Sequence, residues 1–123
     1  GKPQGLGAFN GTPIACLPGN PVSVLVSFAT IVAPMIRRLR GIADGVGADE
    51  RAEVATGWRT PPARRQFMPV RFDGAGRVEP ATAGGSGSHL VARLAAAEAL
   101  ADVPAATAQV EAGDTVSIVR WSR

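Results

Sequence analysis

The tetrapeptide Pro18-Gly19-Asn20-Pro21 constrains the fold of this chain more than any other feature. Its two prolines fix φ at their own positions and keep the preceding residues out of helix, while Gly19 supplies the freedom that a sharp reversal requires. The apolar run Thr12–Leu17 precedes this turn and predicts a buried strand of the parallel type. The chain is therefore expected to reverse between this strand and the segment that follows Pro21.

That following segment, Pro21–Leu39, predicts a helix. Asn20 stands at the N-cap position, Pro21 at the first helical position, and arginines near the end are followed by Gly41. At 1.5 Å per residue, the helix would be roughly 28 Å long, with a kink or restart at Pro34. Because valine and isoleucine dominate the segment, a strand is the alternative, but the caps and the length favour helix.

One strand and one helix of about 40 residues cannot bury their own apolar faces. We therefore interpret residues 1–41 as the last strand and helix of a larger α/β domain, whose remaining sheet is supplied from elsewhere. Residues 42–49 include a polar, glycine-containing stretch and predict a linker.

Residues 50–123 have the pattern of a small all-β, barrel-like C-terminal domain. A hairpin signal, Asp73-Gly74-Ala75-Gly76, joins the alternating run Arg65–Phe72 to Arg77–Pro80. Two further runs, Arg51–Gly57 and Thr115–Trp121, predict strands, and a turn at Ala112-Gly113-Asp114 precedes the second. The segment Leu90–Leu94 is compatible with one or two helical turns. The expected fold is thus an α/β fragment followed by a small β-barrel.

The charge distribution narrows the choice of ligand. The net charge is +3, and residues 1–43 carry four cations and no carboxylate. Nucleic-acid modules combine a basic face with interleaved aromatics, whereas aromatic residues make up only 5% of this chain and are scattered. We expect no nucleic-acid partner, and a small anion near the first segment makes better use of the positive field.

The longest apolar stretch and the single cysteine indicate the expected cellular location. The longest mostly apolar stretch, Pro21–Ile36, is shorter than the roughly 20 residues of a bilayer span and contains Pro34, so no membrane partner is expected. The single cysteine, Cys16, cannot form an intramolecular disulfide, and a reducing cytoplasm is the expected location. Within its apolar strand, Cys16 is expected to be a small core residue.

The string Pro18–Ser23 is the first candidate site. A rigid loop that opens a helix offers N–H groups and the positive end of the helix dipole to an anion, and Asn20 and Ser23 add hydrogen-bonding side chains. The string lacks the Walker lysine and the dinucleotide glycine spacing. The alternative is a plain strand-to-helix turn with a capping asparagine.

The second candidate is Gly84–His89, where glycines let backbone amides approach a ligand and Ser86 or Ser88 could donate to a phosphate oxygen. The alternative is a surface turn before a serine-capped helix, and His89 is expected to be structural. Alternation along a strand places Arg64 and Arg65 on opposite faces, so at most one of them can serve a given site.

Together, these strings resemble the C-terminal part of the MoeA-type molybdenum insertion enzymes, the molybdopterin molybdotransferases, which are similar to the E domain of gephyrin. The resemblance covers essentially the whole chain. The strings that carry it, in order, are Gly1-Lys2-Pro3, Leu17–Ser23, Arg77–Pro80, Gly85–His89 and Val110–Val116.

The resemblance implies an activity and a set of site residues. Members of the family insert molybdate into adenylylated molybdopterin and release AMP, with Mg²⁺ assisting. It implies that Lys2 binds an anion and that Arg64 and Ser88 reach across from the second domain as oxyanion contacts. The residues implied to shape the pocket wall are Pro18, Gly19, Asn20, Pro21 and Ser23.

The chain departs from the family in one respect. No Asp or Glu precedes Asp44, so the carboxylates that the family uses for Mg²⁺ are missing from the first segment. We expect the chain alone to be inactive, to need the remainder of the molybdopterin-binding domain as a partner, and to form a homodimer only as part of the full-length protein. The alternative function is a binding or scaffold module with a gephyrin-like β-domain.

Overall fold

The computed structural model of the chain describes residues 3–43, 50–81 and 94–120. Three of the predictions above lie outside these described residues: Lys2, the linker residues 44–49 and the string Gly84–His89 with its Ser88. Most of Leu90–Leu94 also lies outside them. Within the described ranges, no strand before the linker pairs with a strand after it.

The N-terminal residues form a β-hairpin, which corrects the expectation of a buried parallel strand. Strand β1 (Gly5–Phe9) pairs antiparallel with β2 (Thr12–Cys16). Asn10 and Gly11 form the turn, with φ of 48° and 77°, as a two-residue type I′ turn requires. The hairpin residues are exposed except for a half-buried Ala15. Cys16 is exposed as well, so the expectation that it is a core residue is also wrong.

The predicted helix is confirmed, and Pro34 interrupts its geometry. It consists of α1 (Pro21–Ser27), a π-helical segment (Phe28–Val32) and α2 (Ala33–Leu39). Proline cannot donate a helical hydrogen bond, and its ring clashes with the carbonyl four residues earlier. The chain accommodates Pro34 with a wider turn, in which the Ala33 N–H donates to the Phe28 carbonyl. Gly41, with φ of 74°, ends the helical run in the left-handed conformation common at this position.

The helical run Pro21–Leu39 is 19 residues long and apolar enough to cross a membrane by length and composition alone. Contrary to the expectation above, this segment is therefore not too short for a span. Since apolar helices inside folded domains meet the same criterion, the length assigns no membrane role.

The C-terminal residues build a five-stranded antiparallel sheet that closes on itself. Its order is β3-β9-β7-β5-β6, and a separate two-stranded ladder pairs β4 with β8. The two edge strands meet through a parallel bridge between Val54 and Val78, where the Ala55 N–H donates to the Val78 carbonyl at 2.8 Å. This closure confirms the barrel-like expectation. The strands are β3 (Arg51–Glu53), β4 (Trp58–Arg59), β5 (Gln66–Phe72), β6 (Val78–Pro80), β7 (Ala99–Val103), β8 (Gln109–Val110) and β9 (Thr115–Val119).

The barrel interior is filled by Met68 and by small and β-branched side chains, and alternation along each strand directs them inward. Trp58 and Phe72 pack against this core from its margin. The core therefore depends on close approach of the strands rather than on large aromatic residues. Its buried members are Ala52, Val54, Met68, Val70, Val78, Ala99, Ala101, Val103, Val110, Val116 and Ile118.

The predicted hairpin at Asp73–Gly76 is confirmed, and the Asp73 carboxylate organises it. Its Oδ1 accepts from the N–H groups of Ala75 (2.8 Å) and Arg77 (2.9 Å), while its Oδ2 accepts from the Arg77 guanidinium at 2.9–3.0 Å. The Arg77 backbone N–H, followed by the Ala75 N–H and the Arg77 charge, holds the pKa of Asp73 below its ordinary value. Gly76, with φ of 79°, completes the reversal.

Replacement of Gly57 should destabilise the barrel, because a Cβ there would clash with the Val110 carbonyl oxygen and lie 2.9 Å from the Glu111 Cα. We expect Gly57→Ala to lower the free energy of unfolding in urea by about 1–3 kcal/mol. Gly74→Ala is the matched control, since nothing lies within 4 Å of a Cβ at that position, and its change should stay within about 0.5 kcal/mol. Equal effects of the two substitutions would contradict the close approach of β4 and β8.

The contribution of Asp73 to stability should depend on pH. Because its native pKa is lowered, the stabilisation is present above the unfolded-state pKa, about 3.9, and is lost as pH falls through the native value. Asp73→Asn keeps an Oδ1 acceptor but removes the charge. We expect the Tm difference between parent and variant to be largest near pH 7 and to shrink as the pH falls below about 4. Glu53→Gln, which removes one negative charge at an exposed position of β3, is the matched control.

Candidate functional site

The N-terminus of helix α1, called the helix mouth below, is capped by the side chain of Asn20. Its Oδ1 accepts from the backbone N–H groups of Val22 (3.0 Å) and Ser23 (3.3 Å), and its carbonyl accepts from Val24 N–H at 2.8 Å. Pro21 has no N–H to offer. The predicted N-cap is therefore confirmed, and it already satisfies two of the backbone donors that an anion would otherwise use.

The capping geometry leaves one part of Asn20 available. Because Oδ1 faces the helix amides, Nδ2 of the same amide group points away from them, and no described residue accepts a hydrogen bond from it. Asn20 is exposed, as are Gly19 and Pro21, whereas Pro18 is buried and Ser23 half-buried. The turn thus presents a fixed amide donor beside the positive end of the helix dipole.

The structure distinguishes the two adjacent arginines. Arg65 binds Asp102 through two hydrogen bonds, Nε to Oδ1 at 2.7 Å and Nη2 to Oδ2 at 2.5 Å, and lies 5.1 Å from the centre of the Phe67 ring. The bonds to Asp102 and its charge raise the pKa of Arg65. Arg64 is exposed and has no hydrogen bond or ion pair with another described residue. Arg65 is therefore bound to the barrel through Asp102, whereas the side chain of Arg64 is available to a ligand.

The described residues do not bring all the predicted site residues together. Pro18, Gly19, Asn20, Pro21 and Ser23 share one turn. In the described part of the chain, no hydrogen bond or ion pair joins this turn to Arg64. Lys2 and Ser88 lie outside the described residues. The assignment of these residues to one site stays a prediction.

Two of the cavities that described residues line contain no predicted site residue. A groove of about 590 Å³ on the barrel is bordered by Arg51, Asp102 and Ser117. A smaller one of about 270 Å³ lies between the hairpin and the helix, beside Leu6, Cys16 and Ile31. Sequence spacing gave no signal for either, because each combines residues from distant segments.

The donor set of the described residues does not fit Mg²⁺. This ion takes oxygen ligands, usually from one or two carboxylates with phosphate oxygens. The described residues contain no group of three or more His, Cys, Asp or Glu that could hold a metal. Residues 1–43 contain no carboxylate side chain at all.

This fold defines a class of protein in which a short hairpin-and-helix element precedes a small barrel-like sheet. The molybdopterin biosynthesis MoeA protein from Pyrococcus horikoshii has such a structure, with a TM-score of 0.80 over 100% of this chain and 28% sequence identity. The family profile of the MoeA C-terminal region (domain IV) matches residues 51–121. The chain belongs to the MoeA family.

Two curated relatives match nearly the whole chain. Molybdopterin molybdenumtransferase 2 from Mycobacterium tuberculosis is 38% identical over 119 residues, and molybdopterin molybdenumtransferase from Haemophilus influenzae is 30% identical over 121 residues. Each match covers 96% of this chain but only 29% and 30% of the respective relative. The chain spans about three tenths of the length of these relatives.

The capping role of Asn20 has a direct test. Asn20→Ala should lower the free energy of unfolding, followed by far-UV circular dichroism, by about 1 kcal/mol, because two helix amides lose their acceptor. Asn20→Asp should stay within about 0.5 kcal/mol of the parent, since aspartate caps as well as asparagine does. A parent-like stability of Asn20→Ala would show that the cap contributes nothing.

Proposed function

We propose that this chain is the C-terminal part of a molybdopterin molybdenumtransferase, which inserts molybdate into adenylylated molybdopterin and releases AMP. The observation that carries the proposal is the match to the Mycobacterium tuberculosis molybdenumtransferase over 96% of the chain, which includes both the helix mouth and the barrel. Molybdate and adenylylated molybdopterin are the substrates in this proposal, and Mg²⁺ serves the full-length enzyme through residues that the described part of this chain does not supply.

In the proposed reaction, the turn Pro18–Ser23 is one wall of an oxyanion site. Molybdate carries two negative charges, and residues 1–43 present cations and a helix N-terminus without any competing carboxylate. Asn20 contributes its Nδ2 donor, because its Oδ1 is already used by the cap. The prolines hold the turn in place, so little conformational entropy is lost when the anion binds.

The remaining site residues are assigned roles in the same proposal. Lys2 and Arg64 supply positive charge to the oxyanion, and Ser88 supplies a hydroxyl donor. Support for Arg64 comes from its exposure and its lack of a partner among the described residues, in contrast to its neighbour Arg65.

We further propose that the chain alone does not catalyse the reaction. The hairpin exposes large apolar side chains: Leu6 is 68% exposed, Phe9 69% and Ile14 44%. Such a surface is suited to contact with further protein, and the remainder of the molybdopterin-binding domain is the proposed partner. A full-length protein of this kind is proposed to be a cytoplasmic homodimer. Its helix Pro21–Leu39 would belong to the folded domain, which the match to the Pyrococcus structure over the whole chain supports.

A chimera tests the proposal. The matching segment of the Mycobacterium tuberculosis relative is replaced by this chain, and AMP release from adenylylated molybdopterin is measured with and without molybdate. We expect molybdate-dependent AMP release from the chimera and none from the 123-residue chain. A folded chimera without AMP release, under conditions in which the parent relative is active, would overturn the proposal.

In the same chimera, Asn20→Asp separates the anion-binding role from the capping role. The carboxylate keeps the cap but places a negative charge where the oxyanion is proposed to bind. We expect AMP release at limiting molybdate to fall at least about tenfold, which corresponds to about 1.4 kcal/mol. Asn20→Ser, which keeps a cap without added charge, is the control. Unchanged activity of Asn20→Asp would limit this residue to capping.

A further inference from the structure

The loop between β4 and β5, residues Thr60–Arg65, is attached to the barrel at three points. At its base, the Trp58 Nε1–H donates to Gln66 Oε1 at 3.1 Å. At its start, the Thr60 hydroxyl donates to the Thr107 carbonyl at 2.5 Å. At its end, Arg65 is held by the two hydrogen bonds to Asp102. We call this segment the arginine loop.

The attachment points are themselves fixed. Asp102 lies in β7, which is paired on both sides, with β5 and with β9. Thr107 lies in the turn that follows β7, and its N–H donates to the Pro104 carbonyl at 3.0 Å. Both ends of the arginine loop are therefore fastened to one central strand and the turn after it.

The apex of the arginine loop has little conformational freedom. Pro61 and Pro62 fix their own φ angles. Ala63 has a φ of 53°, a left-handed conformation that costs a non-glycine residue on the order of 1 kcal/mol and persists only where the surroundings impose it. The next residue is Arg64, whose side chain is exposed and has no partner among the described residues.

We propose that the arginine loop is a preorganised support that holds Arg64 in position for an oxyanion, and that Thr60 is a positioning residue acting through its hydrogen bond to Thr107. This inference rests on the proposed function and adds to it the residues that fix the arginine. A mobile loop would have to be ordered each time the anion binds, and this cost would weaken affinity. In a loop that is already ordered, only the Arg64 side chain remains to be ordered when the anion binds, so the cost is smaller.

The ordering of the loop can be measured in the 123-residue chain by ¹⁵N relaxation. We expect an order parameter near 0.85 for the Arg64 amide in the parent and below about 0.6 in Thr60→Val. Thr60→Ser keeps the hydroxyl and should match the parent. Ala63→Gly, which widens the range of backbone conformations open to the apex, should give an intermediate value and covers the case in which Thr60→Val does not fold. A mobile Arg64 amide in the parent, or one unaffected by both loop variants, would overturn the proposal.

Kinetics in the chimera separate this inference from the proposed function. Arg64→Ala is expected to raise the KM for molybdate about tenfold, and Thr60→Val about three- to tenfold, with kcat within about twofold of the parent. Thr60→Ser should leave both constants unchanged. If Arg64→Ala raises KM and Thr60→Val and Ala63→Gly do not, the positioning role is wrong and the proposed function stands. If Arg64→Ala has no effect in an active chimera, Arg64 is not an oxyanion contact. The proposal that the arginine loop positions it for an anion is then wrong.

Discussion

Closure of the barrel depends on Val54, where three segments of the chain are joined. Its bridge to Val78 connects the two edge strands, β3 and β6. Its N–H donates to the Asp114 carbonyl and its carbonyl accepts from Gly113, each at 2.8 Å. The side chain is 1% exposed. Without this bridge the sheet would have two open edges, which expose unpaired backbone groups. Because the bridge closes the sheet, the inward-facing residues share one core and the charged residues lie on the outside.

A second contact joins the beginning and end of the barrel. Glu50, next to the linker, accepts from Arg120 through three hydrogen bonds of 2.8–3.1 Å. The Arg120 guanidinium also lies 4.4 Å from the centre of the Phe72 ring, and its hydrogen bonds to Glu50 raise its pKa. Because the pair is partly shielded from water, its contribution exceeds that of a fully exposed ion pair. The barrel is thus closed along its edges by backbone contacts and at one end by this pair.

Local signals predicted the elements that local chemistry determines. Asn20 caps the helix and Asp73 organises its hairpin because each bonds to amides within four residues. Asn10-Gly11 is an equally clear hairpin signal. The interpretation of Thr12–Leu17 as a parallel strand did not take it into account. Strand β7, Ala99–Val103, is rich in alanine and becomes a strand through pairing with β5 and β9. The choice between Arg64 and Arg65 depends on Asp102, 37 residues from Arg65, and no spacing rule reaches that far.

The two candidate oxyanion contacts in the described residues share one physical principle. At each contact, a structural hydrogen bond uses one polar group, and a neighbouring donor group is left without an acceptor among the described residues. Asn20 gives its Oδ1 to the helix amides, which directs Nδ2 outward. Arg65 binds the carboxylate of Asp102, whereas the exposed Arg64 has no partner among the described residues. Because neither donor group is used by a hydrogen bond within the described residues, an anion that binds them gains the contact without displacing an internal bond.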